Sequence, residues 1–129
     1  MDKKKLIAEI DEIAEFEYDW DSYGADPFAD KTIDKTKVVI NCLDDKYPEP
    51  DIIPNCVDMC LEWEHGENAL EVYVGENLIF GGEERRKERE ERVSYLKVVG
   101  KDMNDWTDTE ISDLSEINEL LEWLYGEKK

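Results

Sequence analysis

A chain of 129 residues with 40% apolar and 10% aromatic side chains is long enough to enclose one hydrophobic core and too short for two, so a single domain over 1–129 is expected. Thirty-five acidic against sixteen basic residues give a formal charge of -19, which disfavours anionic membranes and direct contact with nucleic acid, because each phosphate contact needs a cation. No run approaches the ~18–20 uninterrupted apolar residues of a membrane span, and three cysteines without a dense framework suit a reducing compartment, so a cytoplasmic location is expected.

In chain order, residues 4–17 set Leu6, Ile7, Ile10, Ile13 and Ala14 at helical spacing between carboxylates, which predicts an amphipathic helix. "YDWDSYGADPF" at 18–28 ends it, and Asp30 then caps a second helix with Ile33, Val38, Val39, Cys42 and Leu43 on its apolar side. Pro48, Pro50 and Pro54 in "YPEPDIIP" break that helix. From there the period becomes two: Val57, Met59, Leu61 and Trp63 point one way, and Asp58, Cys60, Glu62 and Glu64 point to a wet face. "HGEN" turns the chain into a second strand carrying Leu70, Val72 and Val74, and "GEN" at 75–77 turns it into a short third strand, Leu78 to Phe80. The charged run at 83–91 reads as a solvated loop or a short helix laced by ion pairs. "RVSYLKVVG" predicts a fourth strand and "NDWTDTEI" a fifth. A last helix follows, capped by Ser112 or Asp113, with Leu114, Ile117, Leu120, Leu121 and Leu124 inward and Gly126 at its end. The fold class expected is α+β: two N-terminal helices, an antiparallel four- to five-stranded meander and a C-terminal amphipathic helix packed on one face.

The loop "WDSYGADP", followed by a helix and an "LEW" strand before a hairpin, resembles a widespread group of small bacterial and phage proteins with an "NWDGYGA-P" loop. The resemblance covers residues 15–75, with Asp19 where that group has Asn. It supports the fold reading and implies no activity.

The same loop admits a second use. Asp19, Asp21, Gly24 and Asp30 fall at places one, three, six and twelve of a calcium-binding helix-loop-helix outline. Tyr23 stands at the fifth place where a short oxygen ligand belongs, and Asp30 is shorter than the bidentate Glu expected last. The competing reading is that Trp20, Tyr23 and Phe28 cover the end of the core while Asp26 and Asp30 cap the following helix. Cys42, Cys56, Cys60 and His65 invite a zinc reading, but Cys56 and Cys60 on one strand would lie ~13 Å apart, too far for one tetrahedral ion or for a disulfide. His65, in a turn, has neither the pocket nor the positioned partner that a general base needs. With no phosphate loop, nucleotide fingerprint or nucleophile elbow, a non-enzymatic protein without cofactors is expected. A small hydrolase would require a concave pocket and a carboxylate of raised pKa.

Charge distribution carries the remaining signal. The stretches 6–30, 47–82 and 102–127 hold nine, eight and nine carboxylates and no Lys or Arg. Asp58, Glu62, Glu64 and Glu71 fall on the wet side of adjacent strands, and Asp113, Glu116, Glu119 and Glu122 recur every third residue along the last helix. Carboxylates fixed on rigid elements speed association with a basic protein and can imitate a phosphate backbone. The expected function is an acidic interaction module that blocks a basic nuclease or nucleic-acid-binding effector; a calcium-binding regulatory domain using the 19–30 loop is the alternative.

Overall fold

In a computed structural model the chain is described over residues 1–15, 30–54, 59–75, 93–100 and 109–126. The elements are α1 (Lys3–Ala14), α2 (Asp30–Cys42), β1 (Asp51–Pro54), β2 (Met59–His65), β3 (Asn68–Val74), β4 (Val93–Val98), β5 (Thr109–Glu110) and α3 (Glu116–Tyr125). This is the α+β order expected. The strands form one antiparallel sheet in chain order, β1-β2-β3-β4-β5.

Helix α1 starts where the Asp2 carboxylate accepts the Lys5 N–H at 3.1 Å, satisfying one of the donors a helix start leaves open. It buries Leu6, Ile10 and Ile13. Helix α2 corrects the expected apolar stripe: Val38 is 46% exposed and Cys42 is exposed, while Thr32, Ile33, Thr36, Val39, Ile40 and Leu43 are buried. Spacings of three and four residues put these six on one side of a helix. Thr36 fits there because its buried hydroxyl donates back to the Thr32 carbonyl at 2.7 Å, which leaves its methyl to pack. Cys42 is therefore not a core residue.

The segment expected to be only a helix breaker holds a strand. Asp51 to Pro54 pair with Glu62 to Met59 at the edge of the sheet. Pro54 is tolerated there because an edge strand does not need every N–H for the ladder. The expected third strand, 78–80, lies outside the described residues, and the strand hydrogen-bonded to β3 is β4. Between β2 and β3 the chain reverses at Gly66, whose φ of 64° is a conformation glycine adopts without a Cβ penalty.

Alternation then sorts the side chains. Met59, Leu61, Trp63, Leu70, Val72, Val74 and Val93 join Leu6, Ile10, Ile13, Val39, Ile40, Ile117, Leu121 and Leu124 in one core, so all three helices pack on the same side of the sheet. Trp63, 1% exposed, places its indole N–H on the Pro48 carbonyl at 2.9 Å, so burying the ring leaves no donor unpaired. The last helix begins at Glu116 after Ser115, later than a cap at Ser112 or Asp113 would put it. The Asp113 carboxylate is spent two residues on, accepting the Ser115 N–H at 3.0 Å. Gly126 closes α3 at φ −59°, and glycine is required there by proximity rather than by handedness: a Cβ would collide with the Glu122 carbonyl oxygen. Among the described residues, no helix is long and apolar enough to cross a membrane.

Candidate functional site

On the side of the sheet away from the helices, strand register sets acids against acids. Glu62 of β2 lies opposite Asp51 of β1 on one flank and Glu71 of β3 on the other. Glu64, two residues along the same strand, shares a hydrogen bond with Glu62. Like charges placed directly across a ladder destabilise a sheet. Burial, helped by that hydrogen bond and by repulsion from Glu71, Glu64 and Asp51, pushes the Glu62 carboxyl up from 4.5 to about 7.

No lysine among the described residues lies within ion-pair distance of these four, and the four arginines, Arg85, Arg86, Arg89 and Arg92, lie outside the described residues. The described ion pairs are Lys3 with Asp45, Lys5 with Glu49, Lys37 with Asp11 and Lys46 with Glu122, all elsewhere. Three of the four sheet carboxylates expected from the sequence, Glu62, Glu64 and Glu71, are thus brought together, and Asp58 lies outside the described residues. Asp51 is the member the sequence reading missed. The adjacent β-branched residues Ile52 and Ile53 were the available strand signal, but the flanking prolines masked it.

The same face is wet only in part. Cys60, expected to be solvated beside Glu62, is 3% exposed, and Ser94 and Leu96 are buried there too. Cys60 sits between Ile53 of β1 and Tyr73 of β3 in the register, so its short side chain is screened by larger neighbours. Its sulfur and one carboxylate oxygen each from Glu62 and Glu71 all lie within 4.8 Å of one another. This donor set differs from the Cys42, Cys56, Cys60 and His65 inventory: Cys42 is on a helix surface and Cys56 lies outside the described residues. Of the calcium outline, Asp30 is in the first turn of α2, where a carboxylate favours the helix dipole, and Asp19, Asp21 and Gly24 lie outside the described residues.

The four α3 carboxylates do not share one environment. Residues three apart on a helix drift by about 60° per step, so Glu122 is turned about 120° from Glu116. Asp113, ahead of the helix, is held below the usual carboxylate range chiefly by the Ser115 backbone N–H. Glu116 and Glu119 line a groove of about 410 Å³ with Tyr95, Lys97, Glu110 and Leu120. Glu122 turns to the other side, where it accepts the Tyr47 hydroxyl at 2.7 Å and pairs with Lys46 at 3.6 Å. The Tyr47 hydrogen bond, then the Lys46 charge, lower its pKa. His65 is exposed as expected, yet its ring stands 4.9 Å from that of Tyr125, whose hydroxyl donates to the Glu64 carbonyl at 3.3 Å.

Comparison with family models, with curated proteins and with solved structures returned no match.

Proposed function

We propose that the protein is an interaction module that binds a basic partner protein, of the nuclease or nucleic-acid-binding class, through Asp51, Glu62, Glu64 and Glu71. One observation carries this reading: Glu62 is flanked by a carboxylate on each neighbouring strand and another on its own, with no described lysine within ion-pair distance. A fold that keeps such an arrangement gives up stability at that point, and local conflicts of this kind cluster where a protein meets something else. An arriving lysine or arginine relieves the repulsion, stabilises the charged form of Glu62 and releases its proton. Blocking then follows from occupying the cationic surface that the partner would offer to nucleic acid.

The test separates the patch from the total charge of -19. Immobilised protein is challenged with a panel of basic nucleases over a salt series, beside the Glu62→Lys/Glu64→Lys variant. A control, Glu12→Lys/Asp34→Lys, makes the same change in net charge on exposed helix positions. Binding that weakens steeply with salt, disappears in the sheet variant and survives in the control supports the reading, provided the melting temperature is retained. Equal losses in both variants, or indifference to salt, would refute it.

A further inference from the structure

We draw no further inference here: the strongest candidate, the side-chain cluster of Cys60, Glu62 and Glu71 on the sheet face away from the helices, is an acidic cluster with a single cysteine that no second observation marks as a ligand site, and its two glutamates belong to the patch already described.

Discussion

Glu62 and Glu122 are the same residue type in the same acidic chain, and their surroundings drive them in opposite directions. Glu62 is half-buried between strands, with carboxylates at its flanks, and its proton is held to about pH 7. Glu122 is exposed at the side of α3, accepts a tyrosine hydroxyl, sits near a lysine ammonium, and ionises more readily than an ordinary glutamate. Composition alone would treat both as surface charge. The contrast teaches that a negative side chain becomes a candidate for recognition when no cation among the described residues relieves its repulsion, and that Glu122, already paired, is a poorer candidate than its place in the helical series suggests.

The largest expected effect tests the unrelieved side. Because the folded pKa of Glu62 lies above the unfolded value, the folded state holds a proton that the unfolded state releases between pH 4.5 and about 7, so stability falls as pH rises through that window and is flat above it. The shift corresponds to at most about 3 kcal/mol. Glu62→Gln removes this dependence and should leave the variant more stable than the parent at pH 8 and equal to it at pH 4. Urea midpoints at the two pH values measure both outcomes, and a parent no less stable than the variant at pH 8 would break the contrast.

A smaller effect sharpens the cause. Glu71→Gln takes away one flanking charge but leaves burial, the largest contributor, in place. The Glu62 titration followed by carboxyl NMR should move down yet stay above 4.5. A full return to the ordinary value would mean that repulsion, not desolvation, governs the site.

The smallest effects lie on the paired side. Tyr47→Phe should raise the Glu122 titration midpoint toward the ordinary range, and Lys46→Met should raise it less, because the hydroxyl hydrogen bond contributes more than the ammonium charge. The same NMR titration reads both, and a reversed order would assign the depression to Lys46.

Where local pattern and tertiary context agreed, the fold could be read in advance. The period-two run through Met59, Leu61 and Trp63 and its partner through Leu70, Val72 and Val74 pair as adjacent strands with those residues inward. The helical stripe of Leu6, Ile10 and Ile13 is buried as spaced. The reading failed where a residue's class hid its role. Thr36 looked polar but packs with its hydroxyl bonded to its own helix, Thr32 is buried beside it, and Val38 looked apolar but faces solvent. Asp51 was lost among prolines although it is a member of the carboxylate patch.

By itself the sequence determined the amount of negative charge, the residues able to be inward or outward on each element, and the pairing of β2 with β3, because these depend on side-chain chemistry and on periods of 2 and 3.6 residues. Only the tertiary structure decided which carboxylates meet. Register across three strands brings Asp51, Glu62 and Glu71 side by side, and the rotation of α3 sends Glu122 to Tyr47 while Glu116 and Glu119 face a groove. Charge repulsion and burial act over a few ångströms between residues distant in the chain, so they follow from the packing of elements rather than from any one stretch of sequence.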